Sequence, residues 1–401
     1  MRFTDFALVA LTAAGANAAP HPQKIDFKSL NPVVQSVQSV PVGITAEVVT
    51  YNPTAATSSA AAAVTTSSAV KATETTLTTK REAGQINARD GDCSTQPATI
   101  YTGTNPADDP DSFLAYQPFA DAANSAATPS GFTRSFVNLN ASNNALKYMG
   151  FTQLPTYDTN VCASKCSDIA GCNAFNIYFE RDPSVDPGAS CTNPSSMTNV
   201  KCVFWGGAID AKTAVNDGQW RSTFRVVIAG SNGYNVNSFP TPPGYNPPTS
   251  LTGASINAPL DCNKADTYLG SRFFTDTPFD VSLCTAACDA TTAFNVAHPP
   301  ATGSVQTCQF INTYILYLNG VAQGQACAMY TDSWDTSYAV NTGYTSGTDV
   351  YTIDSSYTLS NSTNPNYAAN CKVAASSSSS IASNSSSTIA SNSTLARRAA
   401  Y

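Results

Sequence analysis

Residues 173–180 (Asn-Ala-Phe-Asn-Ile-Tyr-Phe-Glu) alternate along the chain, which predicts a strand with Phe175, Ile177 and Phe179 on one face and Tyr178 on the other. Upstream, Asp158 suits the start of a helix, because a carboxylate satisfies the unpaired amides of a first turn. Cys162 and Cys166, four apart, then share one helical face with Ile169, and Gly171 suits the stop. Cys202-Val-Phe-Trp205 and Thr223–Ile228 read as further strands, with Trp205 in the core. Phe132 and Phe136-Val137 are strand material ahead of the helix.

The same pattern occurs twice. Tyr148-Met149-Gly150 answers to Tyr268-Leu269-Gly270. Asp158-x3-Cys162-x3-Cys166 answers to Asp280-x3-Cys284-x3-Cys288, and Ala174-Phe175-Asn176 to Ala293-Phe294-Asn295. Cys202 precedes Ala214-Val215-Asn216-x-Gly218 by 12 residues, as Cys327 precedes Ala339-Val340-Asn341-x-Gly343. The expected fold is therefore α+β: two disulfide-stapled modules, each one helix on a small, mostly antiparallel sheet. The expected modules are 90–230 and 260–372, joined by a semi-rigid Pro/Gly/Asn-rich linker over 231–259 that has no core of its own.

Cys162-x3-Cys166-x5-Cys172-x-Ala174-Phe175, followed by Cys202-x2-Trp205, resembles the core of the PAN/apple superfamily. The tandem arrangement in a Ser/Thr-rich chain resembles fungal secreted proteins with two apple-like modules. That resemblance implies a helix tied to the central sheet by its cysteines, and modules that bind proteins or carbohydrates without catalysis. The second copy departs from it: Thr291 and Thr292 stand near where Cys172 would fall. In copy two the expected bridges are Cys284–Cys327, Cys288–Cys308 and Cys262–Cys371. In copy one the family pattern implies Cys162–Cys202 and Cys166–Cys172, leaving Cys93–Cys191. The register of the repeat suggests instead Cys166–Cys191 with Cys93–Cys172, and six cysteines permit 15 connectivities.

The ends of the chain carry a different composition. Residues 1–18 read as a signal peptide, with Arg2, an apolar stretch from Phe6 to Ala14, and Ala16-Asn17-Ala18 as the cleavage pattern. Residues 19–89 are expected to be a disordered Ala/Ser/Thr-rich pro-segment, ending near a dibasic processing site at Lys80-Arg81. Residues 373–401 are expected to be a second disordered, Ser/Asn-rich tail. Asn140, Asn361, Asn384 and Asn392 lie in glycosylation sequons. No segment has 18 uninterrupted apolar residues, so no transmembrane span is expected. The expected location is secreted, either extracellular or associated with a cell wall, where twelve cysteines read as six disulfides.

Charge and chemistry narrow the function classes. A net charge of −7 and no extended basic run argue against nucleic acid as a partner. Two histidines, His21 and His298, exclude a multi-histidine metal site, and no cofactor is expected. Asp108-Asp109-Pro110-Asp111 and Glu180-Arg181-Asp182 with Asp186 hold oxygen ligands of the kind Ca2+ takes, but in no EF-hand spacing; they read as turn acids. No acid/base pair or nucleophile is identifiable, so an enzyme is not expected. Aromatics are the candidate binding groups, since Tyr and Trp faces stack on sugars while amides and acids bond the hydroxyls. Trp220 with Gln219 and Arg221, Trp334 with Asp332 and Asp335, and Tyr178 are the candidate contacts. The expected ligand is an extracellular glycan, with a cell-surface protein or a purely structural wall role as alternatives.

Overall fold

A computed structural model of the chain describes residues 46–65, 91–261 and 263–363. In chain order its first elements are β1 (Ala46–Val48), α1 (Pro53–Thr65), α2 (Pro110–Leu114), α3 (Gln117–Ser125), β2 (Phe132–Leu139), β3 (Ser142–Asn143) and β4 (Tyr148–Leu154). Then come α4 (Thr159–Ser167), β5 (Ala174–Pro183), β6 (Ser196–Trp205), β7 (Ala214–Asn216), β8 (Gly218–Arg221) and β9 (Phe224–Val236). The second half contains β10 (Thr249–Thr252), β11 (Ser255–Ile256), β12 (Tyr268–Phe274), α5 (Val281–Ala297), β13 (Phe310–Leu318), β14 (Val321–Tyr330), β15 (Ala339–Asn341), β16 (Gly343–Ser346) and β17 (Asp349–Ser360).

Strands outweigh helices, and all strand pairing is antiparallel. The two halves build sheets of the same order. The first runs β4-β6-β5-β9-β2 with β8 beside β9; the second runs β12-β14-β13-β17-β10 with β16 beside β17. Each also has a two-stranded ribbon, β3-β7 or β11-β15. The N-caps repeat as well: the Asp158 carboxylate accepts from the amides of Asn160 and Val161, and that of Asp280 from Ser282. Phe175, Ile177 and Phe179 lie together in the core beside the cysteines of α4.

One sequence match was misplaced. Ala293-Phe294-Asn295 lies in the last turns of α5, which is 17 residues long against 9 in α4. The residue that answers to Asn176 in β5 is Asn312 in β13, and Cys172 is answered by Cys308, each two residues ahead of its strand. The longer helix displaces the strand in sequence without displacing it in the fold.

Five disulfides are described: Cys93–Cys191, Cys162–Cys202, Cys166–Cys172, Cys284–Cys327 and Cys288–Cys308. The alternative Cys166–Cys191 with Cys93–Cys172 is overturned, because the turn at Gly171 brings the Cα of Cys172 to 5.4 Å from that of Cys166. Cys262–Cys371 lies outside the described residues, as do the signal peptide, Lys80-Arg81, Asn384, Asn392 and the tail after 363.

Two expectations of missing structure are corrected. Within the pro-segment, residues 46–65 form β1 and α1, with Ala60 and Val64 buried. Small side chains permit this, because an alanine-rich helix packs closely against another helix. Within the supposed linker, β9 runs to Val236, β10 and β11 occupy 249–256, and Tyr245 and Leu251 are buried. The Tyr245 hydroxyl donates to the Asp289 carboxylate at 2.7 Å, which ties this stretch to α5.

The two units touch directly. The Phe279 amide donates to the Gly206 carbonyl at 2.7 Å. Asn173 Nδ2 donates to the carbonyls of both Gly206 and Phe279, each at 2.7 Å. A Cβ added to Gly206 would lie 2.6 Å from the Pro278 ring, so a larger residue there would force the units apart.

Candidate functional site

β8 and β9 form a hairpin in which Trp220 stands opposite Arg225 and Arg221 opposite Phe224. The tight turn requires Ser222 at φ 53°. Strand alternation then sends Trp220 outward, where it is 64 % exposed, the most exposed of the large apolar side chains in the described residues. The Arg225 guanidinium stands 5.8 Å from the indole centroid, which holds the ring by a cation–π contact. Gln219, the preceding residue, is also exposed, but alternation turns it to the opposite face of the strand, so the structure does not bring it together with Trp220. Arg221 is half-buried and ion-paired with Asp186. No strand pairs the outer edge of β8 among the described residues. The result is an open aromatic face flanked by the Arg225 guanidinium.

Trp334 is placed differently. Its indole N–H donates to Thr267 Oγ1 at 3.1 Å, and its ring packs edge-on to Tyr338 at 5.2 Å and against the second unit's apolar cluster. Asp335 caps the short 3-10 turn Thr336–Tyr338 by accepting from the Ser337 amide, which draws its carboxyl pKa down. Asp332 accepts from the Ser333 amide and is half-buried, and burial raises its carboxyl pKa. These acids serve the local turn. Tyr178 is fully buried, so its candidacy as a surface contact is overturned: its face of β5 carries a second core with Trp205 and Phe151.

Of the acids considered for Ca2+, Asp108, Asp109, Glu180, Asp182 and Asp186 have protein partners. Asp108 pairs with Arg181 at 2.7 Å and Asp109 caps α2. Glu180 and Asp182 flank Lys201, at 3.5 Å for Asp182, with Asn199 Nδ2 donating to Asp182 at 2.7 Å. No group of three or more His, Cys, Asp or Glu side chains suited to a metal ion occurs among the described residues. Burial, then repulsion from Asp182, pushes the Glu180 carboxyl up to about 8 against the pull of Lys201. Sequence reading missed Lys201; its only signal is a lysine interrupting the apolar run of Val200 and Cys202-Val-Phe-Trp205.

Between the units lies a cleft of about 230 Å³ lined by Asn173, Asn235, Phe239, Asp354 and Tyr357 among others. Asp354 is mostly buried there and its carboxyl pKa is raised, first by burial and then by Asp210. His298 caps the end of α5, with Nδ1 2.9 Å from the Phe294 carbonyl oxygen, and stacks on the Phe294 ring.

No family model, no curated protein and no solved structure matches the chain. The surface chemistry at Trp220 therefore carries the functional reading by itself. No helix among the described residues is long and apolar enough to cross a membrane.

Proposed function

We propose that the chain is a secreted, non-catalytic binding protein of two PAN/apple-like units, which recognises an extracellular or cell-wall glycan at the β8–β9 hairpin. The observation that carries this reading is Trp220, 64 % exposed and braced by Arg225. A flat, pre-oriented indole stacks on the C–H face of a pyranose, and the Arg225 guanidinium on the same face of the hairpin supplies donors for hydroxyl groups. Disulfide bridging and the absence of a long apolar helix among the described residues support an exported location.

The test is retention of the full chain on insoluble chitin, β-glucan, cellulose and mannan. The wild type is held on one of them, and Trp220→Ala washes through with unchanged circular dichroism. Passage of the folded wild type through all four overturns the glycan reading and directs the search to a cell-surface protein that adds a strand to the open edge of β8.

A further inference from the structure

Residues 46–65 join the two units without belonging to either repeat. β1 adds to the outer edge of β4, pairing Ala46 with Thr152, Glu47 with Phe151 and Val48 with Gly150. The Val49 amide extends the ladder to the Met149 carbonyl. Gly150, at φ +101°, is required for this approach, because a Cβ there would lie 2.2 Å from the Glu47 carbonyl oxygen. The Tyr148 hydroxyl donates to Glu47 Oε2 at 2.9 Å. The chain then crosses to the second unit, where the Tyr51 hydroxyl donates at 2.9 Å to the free oxygen of the Asp280 cap. The Asn52 side chain caps the start of α1 by accepting from the Ala55 amide. α1 lies along α5, with Val64 in the same core as Cys284, Ala287 and Cys288.

The sequence adds a second observation. The 25 residues between Thr65 and Gly91 lie outside the described set and contain Lys80-Arg81, while no cysteine precedes Cys93. Hydrolysis of the Arg81–Glu82 bond, consuming one water and leaving a carboxylate on Arg81 and an amine on Glu82, would therefore leave residues 46–65 held by non-covalent contacts alone. A strand with its own ladder and a helix seated in the second core constitute a folded interface, unlike a disordered leader.

We propose that residues 46–65 stay in place after scission at Lys80-Arg81, as a separate chain that clasps β4 of the first unit to α5 of the second. The occupant of this surface is the chain's own amino-terminal piece. The mature protein is then two chains, one of them carrying all the disulfides.

The test uses the full chain, with Arg397-Arg398, its other basic pair, changed to Gln-Gln. The folded protein is cut with an endoprotease specific for paired basic residues, then run on gel filtration and native mass spectrometry. The amino-terminal fragment is expected to co-elute with the 82–401 fragment at one to one. In a Tyr51→Ala, Val64→Asp variant whose 82–401 body keeps its circular dichroism, co-elution is lost. Separation of the wild-type fragment on scission overturns the proposal, and so does a folded chain that resists cutting at Lys80-Arg81.

Discussion

Asn176 in β5 and Asn312 in β13 do the same work in the two sheets. Asn176 Oδ1 accepts from the Asn143 amide, and its Nδ2 donates to Ser231 Oγ and the Asn232 carbonyl, at 2.9–3.2 Å. Asn312 Oδ1 accepts from the Ile256 amide, and its Nδ2 donates to Ser356 Oγ and the Tyr357 carbonyl, at 2.8–3.0 Å. Both asparagines are fully buried, and each pins a two-stranded ribbon to its main sheet. Replacing either with alanine strands buried backbone groups. The expected loss is about 1–3 kcal/mol in guanidinium unfolding for each. A change below about 0.5 kcal/mol in both would show that the amides do not hold the ribbons.

The buried trio in the first unit sets a pH dependence. Folding raises the Glu180 carboxyl from its usual 4.5 to about 8. Between those values the folded chain keeps a proton that the unfolded chain has released, so stability falls as pH rises through that window and levels off above it. Melting curves from about pH 5 to 9 should show the wild type losing ground against Glu180→Gln as pH rises. A constant difference between the two would contradict the assignment.

Two tryptophans separate stability from recognition. Trp205 is 1 % exposed, and Trp205→Ala is expected to cost about 3–5 kcal/mol. Trp220→Ala changes stability by no more than about 0.5 kcal/mol, because its ring faces solvent. Parallel chemical denaturation of the two variants measures this contrast. Equal losses would mean that Trp220 belongs to the core.

The bridges differ in access. Cys93 and Cys191 are half-buried, whereas Cys162, Cys166, Cys202, Cys284, Cys288, Cys308 and Cys327 are no more than 1 % exposed and Cys172 is 8 %. Mild reductant without denaturant should open Cys93–Cys191 before the other four described bridges. Alkylation with peptide mapping gives the order, and early opening of Cys162–Cys202 would contradict it.

Much of the architecture is legible in local signals. The carboxylate caps at Asp158 and Asp280, the paired helix cysteines and the alternation of Phe175, Ile177 and Phe179 each act within a few residues, and each is found as read. What escaped reading is non-local. Asn312 was hidden because α5 is longer than α4, and a false Ala-Phe-Asn match filled the gap. α1 was hidden because an Ala/Ser/Thr helix shows no amphipathic stripe; its burial comes from close approach to α5. Trp220 was legible as a residue type, but its exposure depended on the β8–β9 hairpin, as did the loss of Tyr178 as a contact on the β5 register.

The most direct measurement of the central claim is oxidation of tryptophan by N-bromosuccinimide on the full chain, mapped by peptide mass, free and bound to the retained polysaccharide. Free protein is expected to oxidise first at Trp220, with Trp205 spared, and the bound state to protect Trp220. Equal oxidation of Trp220 in the two states would place the glycan elsewhere and contradict the hairpin as its platform.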